Sequence, residues 1–233
     1  MRSREGGRPV TEAEWITSLN SRKMMSAVSG KGSDRLWRLF AVGCARRFEP
    51  LMRDQRSRLE LGVAERYADG EATREELRVA RDNVAAAAHQ AGYDVWLDEV
   101  RANFGWDAEH EALHEANRAA RAVLPCVAEN LEREDAQGTG IPEWMVLPDM
   151  LREVFGNPFQ WTTADPLWLT RNDWAVANLA QTIYAKRDFD QMPILADALE
   201  DAGCCDEAIL RHCRERDGHT LGCWVLDLCL GLS

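Results

Sequence analysis

The residues whose types and spacing are best suited to chemistry are His110, Glu111 and His114, in the run His110-Glu111-Ala112-Leu113-His114. On an α-helix, histidines four residues apart stand on one side and can share a zinc ion. The glutamate between them can then act as general base on a metal-bound water. A third ligand would come from further along, with Glu132 and Glu134 as candidates. The longer pattern, with a further Gly and His, is absent: the chain continues Glu115-Ala116-Asn117-Arg118-Ala119-Ala120. The flanks are polar rather than apolar, and no strand upstream offers a sheet edge to hold a substrate. In the competing reading His110 borders an apolar stripe with Trp106 and Leu113, while His114 faces solvent with Asn117.

A second group of candidate ligands lies near the C-terminus. Cys204, Cys205, His212, Cys213, His219 and Cys223 fall within twenty residues. Structural zinc is commonly held by paired C-x2–4-C knuckles. None is present, and Cys204 and Cys205 are adjacent, so they point in different directions. Free cysteine is among the most buried residue types, so these thiols read as core residues. Nucleophilic catalysis has less support. There is no G-x-S-x-G, no P-loop and no G-x-G-x-x-G. Cys213 beside His212 is only an adjacency, because helical neighbours diverge by about 100°.

The elements that must position these groups all read as helices. Thr11-Glu12-Ala13-Glu14 and Thr73-Arg74-Glu75-Glu76 are capping boxes. Ser33, Asp54 and Asp206 are N-cap candidates. The predicted inward faces include Trp15, Ile16 and Leu19; Leu36, Leu39, Phe40 and Cys44; and Leu59, Val63, Ala64 and Tyr67. Helices are expected over about 107–132, with a kink at Pro125, over 142–155, divided by Pro148, and over 170–186, with Trp174 on the apolar face. Residues 194–214 predict a helical hairpin: Ile194, Leu195, Ala198, Leu199 and Ala202 face inward, Gly203 stops the first helix, and Ile209 and Cys213 line the second. The apolar run 223–230 fits a buried helix or strand, with helix favoured because no other strand could pair with it. Asp227 within it calls for a partner or an exposed edge.

No stretch alternates in the manner of a strand, and no hairpin turn lies between apolar runs. The expected fold is therefore all-α, an irregular multi-helix bundle or a short solenoid-like array of helical hairpins. Residues 1–10 are expected to be disordered, 11–134 to form an N-terminal helical region, 135–142 to be a linker around Gly138-Thr139-Gly140, and 143–233 to form a C-terminal helical region.

The chain of 233 residues is 45% hydrophobic with nine tryptophans, ample for a core. It shows no signal-type h-region and no run of 18 apolar residues, which predicts neither secretion nor a membrane span. Seven irregularly spaced cysteines then point to thiols in a reducing cytoplasm. The net charge of −11 argues against nucleic acid as main partner. The first 58 residues are nonetheless basic, and Arg35, Arg38, Arg46 and Arg47 on one predicted helix are the residues a phosphate backbone would meet. The alternative is that this segment docks on the acidic remainder of the chain.

Several stretches together resemble an uncharacterised family of bacterial all-helical proteins. They are TEAEW at 11–15, SDRLWRLFAVGCARR at 33–47, VAERYADG at 63–70, LREVFGNPF at 151–159, DPLWLT at 165–170, FDQMPILADALEDAGC at 189–204 and the closing 219–231. The resemblance covers both ends of the chain and implies no catalytic residue. The hairpin 194–214 also resembles a short Leu-Ala-Asp-x-Leu-Glu helical module that accompanies repeat domains in bacterial proteins, which implies interaction rather than chemistry. The sequence thus favours a non-catalytic helical interaction or scaffold protein without a cofactor, binding a protein partner, with Phe159, Trp161 and Trp168 as the contact surface. The competing reading is a zinc-dependent hydrolase using His110, Glu111 and His114.

Overall fold

The first five helices each start at a side chain that satisfies amides the first turn leaves open. The Thr11 hydroxyl accepts from the Glu14 amide, and the Glu14 carboxylate accepts from the Thr11 amide. This opens α1 (Glu12–Thr17). Asn20 caps α2 (Ser21–Val28), Ser33 caps α3 (Asp34–Arg46) and Asp54 caps α4 (Gln55–Ala68). A second box, Thr73 with Glu76, opens α5 (Arg74–Gln90). Further along come α6 (Glu143–Phe155), α7 (Pro166–Lys186), a 3₁₀ turn at Phe189–Gln191, α8 (Met192–Asp201), α9 (Glu207–Arg214) and α10 (Trp224–Leu230).

The computed structural model describes residues 10–47, 49, 52, 54–90, 143–160, 162–215 and 218–232. Among them the fold is all-α, with no strand. The run 223–230 is therefore helix. His110, Glu111, His114, Glu132, Glu134, Pro125 and the predicted linker 135–142 lie outside the described residues, as do residues 1–9 of the N-terminal segment.

The chain divides into two compact units, Met1–Gly32 with Glu143–Ser233, and Ser33–Pro142. The sequence places a division near 135–142 and groups 11–32 with residues 33–134; here 1–32 fall with the C-terminal part. The reason is visible at Trp15, which is buried and donates its indole N–H to the Gly156 carbonyl at 2.9 Å. Arg152 closes the other side, donating to the carbonyls of Trp15 (3.1 Å) and Ser18 (2.6 Å) at the end of α1. Ile16 and Leu19, expected inside with Trp15, are exposed.

In the second unit α3, α4 and α5 pack in chain order, α4 against both neighbours. Leu39, Phe40, Leu61, Ala64, Leu77 and Val84 are in its interior. Leu59, expected inside, is 60% exposed; Leu61 takes the inner face beside Ala64, which is buried as expected. The arginines of α3 are engaged within this unit. Arg35 pairs with Asp69 at 2.8 Å, Arg38 lies over the Tyr67 ring, and Arg46 bridges Glu49 and Glu65.

In the first unit α2 packs on α6, and α7, α8, α9 and α10 surround a shared core. That core holds Ile183, Met192, Leu195, Leu199, Ile209, Val225 and Leu226, together with Cys204, Cys213, Cys223 and Cys229. Gly203 takes φ +97° and ends α8, as its sequence position predicts. Ile194, expected inside, is exposed, and the buried face is formed by Met192, Leu195, Ala196, Leu199 and Ala202. Pro148 does not divide α6. Within α7, Asn172, Asp173 and Trp174 form a left-handed turn, so the helix expected from 170 is broken there and Trp174 stands out in solvent.

Candidate metal centre

Three separate segments of the first unit converge on one point. Near the C-terminal end of α6, in the sequence Leu151-Arg152-Glu153-Val154-Phe155, the apolar residues face the core and carry Glu153 in with them. In α9, Asp206 caps the start and Ile209 and Cys213 seat the helix in the core, which brings His212 to the inner edge. The loop after α9 supplies His219, and Cys223 follows at the N-cap of α10.

The donor atoms of Glu153, His212, His219 and Cys223 all lie within 4.8 Å of one another. His212 Nε2 is 3.2 Å from Cys223 Sγ and 3.3 Å from Glu153 Oε2. His219 Nδ1 is 3.2 Å from Glu153 Oε1 and 4.0 Å from Cys223 Sγ. A tetrahedral zinc ion with bonds of about 2.0–2.1 Å to N or O and about 2.3 Å to S has ligand–ligand edges of roughly 3.3–3.8 Å. The shorter separations are close to that range, each histidine meeting a different Glu153 oxygen, and the widest separation within the group is up to 4.8 Å.

The surroundings hold these groups in the ligating orientation. His219 Nε2 donates to the Glu215 carbonyl at 2.9 Å. That bond puts a hydrogen on Nε2 and turns Nδ1 toward Glu153 and Cys223, where it donates when the ring is protonated and offers a lone pair when the ring is neutral. The Thr220 amide donates to Glu153 Oε1 at 3.3 Å. The two imidazoles meet edge to face at 5.0 Å, and Trp224 lies against His212 at 5.2 Å.

The site is closed. Side-chain exposure is 8% for Glu153, 12% for His212 and 3% for His219, and Cys223 is fully buried. Burial decides two of the four proton equilibria. It pulls His212 down to about 4 despite the nearby Glu153 charge, and drives the Cys223 thiol well above its ordinary value, helped by that same charge. Burial also works to raise Glu153, but the hydrogen bond from His219 and the two imidazoles outweigh it and the carboxyl lies below its usual range. For His219 burial works downward, and the Glu153 and Glu215 oxygens prevail and raise it. Four protein donors, two buried and two half-buried, suit a metal that holds structure, since catalytic zinc keeps one coordination position open.

His212, His219 and Cys223 are visible in the sequence but lack the paired-cysteine knuckle that marks a zinc site there. The spacing His212-x6-His219-x3-Cys223 is the signal that could have found them. Glu153 has none, because it is 59 residues upstream of His212 inside an ordinary amphipathic helix. Cys204, Cys213 and Cys229 are buried free thiols of the core, and Cys205 is exposed. Among the expected contact aromatics, Phe159 is partly exposed with the Lys31 ammonium 5.5 Å above its ring, while Trp168 packs against the core of the first unit. Trp161 lies outside the described residues. No helix among the described residues is long and apolar enough to cross a membrane. No family model, curated protein or solved structure matches this chain.

Proposed function

We propose that the protein is a non-catalytic helical scaffold whose first unit is locked by one structural zinc ion on Glu153, His212, His219 and Cys223. The observation that carries the reading is the convergence of four different donor atoms, from three chain segments, within 4.8 Å of one another at buried and half-buried residues. The mixture of one thiolate, two imidazoles and one carboxylate suits zinc, a borderline-soft ion without a geometric demand of its own. The ion would tie α6 to α9 and to the start of α10, joining segments that are distant in the chain. Leu167, Trp174 and Ile194, left exposed on the same unit, are the kind of surface an interaction module offers a protein partner.

The test is metal analysis of protein purified without chelator, with melting curves before and after chelation. The expected result is about one equivalent of zinc, kept by His110→Ala and lost by Cys223→Ser. Anything that binds only the folded state stabilises it by about 4 kcal/mol at a thousandfold excess over its Kd. For a unit of this size that is a fall in Tm of about 10–20 °C on chelation. Zinc that leaves with His110→Ala and stays with Cys223→Ser would transfer the metal to the His110–His114 helix and overturn this reading.

A further inference from the structure

The four donors need a rigid wall, and the structure supplies one from residues that do not touch the donor atoms directly. Gly156 follows α6 three residues after Glu153 and takes φ +57°, a conformation that disfavours any residue with a side chain. Its missing Cβ matters on a second count. A Cβ there would lie 3.1 Å from Cγ and Cδ2 of Trp224. The bare backbone therefore lets the indole lie flat against the end of α6. The same indole lies tilted against the His212 imidazole, with centroids 5.2 Å apart and planes at 51°. From the other side, the Gly156 carbonyl accepts the buried indole N–H of Trp15 at 2.9 Å. One glycine thus holds a tryptophan from α1 by hydrogen bond and a tryptophan from α10 by contact, one turn from the Glu153 carboxylate.

We infer that Trp15, Gly156 and Trp224 are positioning residues for the metal centre, so that the seating of α1 on α6 sets how tightly the four donors hold their ion. The inference rests on the zinc reading above. It has two geometric consequences. Moving Trp224 by the few tenths of an ångström a Cβ at Gly156 requires rotates or displaces the His212 ring, one of four ligands. Releasing Gly156 from Trp15 removes one of the bonds that hold the last turn of α6, which carries Glu153, to α1, leaving the two from Arg152. Both act on ligand geometry and neither removes a ligand, so stoichiometry stays at one ion while affinity and ligand field change.

The experiment titrates the purified full chain with cobalt(II) and competes it with zinc. It compares wild type with Cys223→Ser, Gly156→Ala, Trp15→Phe, Trp224→Ala and Trp224→Phe at a temperature well below each variant's melting transition. Wild type is expected to show a thiolate-to-cobalt charge-transfer band saturating at one equivalent, absent in Cys223→Ser. Gly156→Ala, Trp15→Phe and Trp224→Ala should still saturate at one equivalent, with zinc affinity at least tenfold weaker and altered cobalt d–d bands. Trp224→Phe, which keeps a flat ring over His212, should recover most of the loss. Trp15→Phe keeps the buried ring and removes only the N–H, so it tests the hydrogen bond in a chain that folds. Unchanged affinity and spectrum in Gly156→Ala and Trp224→Ala, with the band intact in wild type, would sink the positioning role and leave the zinc reading standing. No charge-transfer band in wild type would sink both.

Discussion

Glu60 offers a sharp test of how burial shapes the second unit. It lies on α4 with 1% of its surface exposed, and neither carboxylate oxygen has a hydrogen-bond partner among the described residues. Burial raises its carboxyl from 4.5 to about 7, against the opposing charge of Arg81. A folded value above the unfolded one means the native state holds the proton more tightly. Between about pH 4.5 and 7 the native chain binds more protons than the unfolded chain, so stability falls as pH rises through that window and levels off above it. A tenfold change in proton affinity corresponds to about 1.4 kcal/mol, so the charged carboxylate costs about 3 kcal/mol at pH 8. Glu60→Gln keeps the shape and cannot ionise. Urea unfolding of both proteins at pH 5, 6, 7 and 8 should show the variant gaining on wild type, from under about 1 kcal/mol at pH 5 to about 3 kcal/mol at pH 8. A difference that does not change with pH, or a variant less stable than wild type at pH 8, would refute the reasoning.

Two more outcomes depend on single contacts. Arg46 donates to both oxygens of Glu65, whose side chain is only 3% exposed, and Arg46→Ala leaves that carboxylate buried without its cation. The expected loss is about 3 kcal/mol by denaturant titration, largely recovered when Glu65→Leu is added, since removing both partners costs less than removing one. Asp173 sits at φ +55° and ψ +41° in the left-handed turn of α7. Asp173→Gly should raise thermal stability by up to about 1 kcal/mol, because glycine takes this conformation without the Cβ clash. A loss on calorimetry would show that the turn is held by the Asp173 side chain.

The same contacts show how function and stability are distributed. In the second unit the basic helix α3 sets Arg35, Arg38 and Arg46 against Asp69, Tyr67, Glu49 and Glu65, so these three contribute to α3–α4 packing. In the first unit Glu153, His212 and His219 are concentrated at one point, while Asp227 is buried within α10 outside that group. Burying such groups is costly unless they are paired or coordinated, and a site that gathers them beside a thiol has a physical reason to hold a cation.

Features that depend on neighbours three or four residues away were legible from residue order. Thr11 with Glu14, Thr73 with Glu76, Ser33 with the Leu36 amide and Asp206 with the amides of Ala208 and Ile209 are local hydrogen bonds, and each is where the residue types place it. All-α character has the same short-range origin. Which helix face turns inward required the assembled fold, as the exposure of Ile194, Leu59 and Trp174 shows. So did the meeting of Glu153 with His212, His219 and Cys223, a partnership spanning about a third of the chain. The reason is one of range. A capping bond is encoded within a single turn, whereas a ligand set assembled from α6, α9 and the start of α10 exists only once an apolar core has brought those segments together.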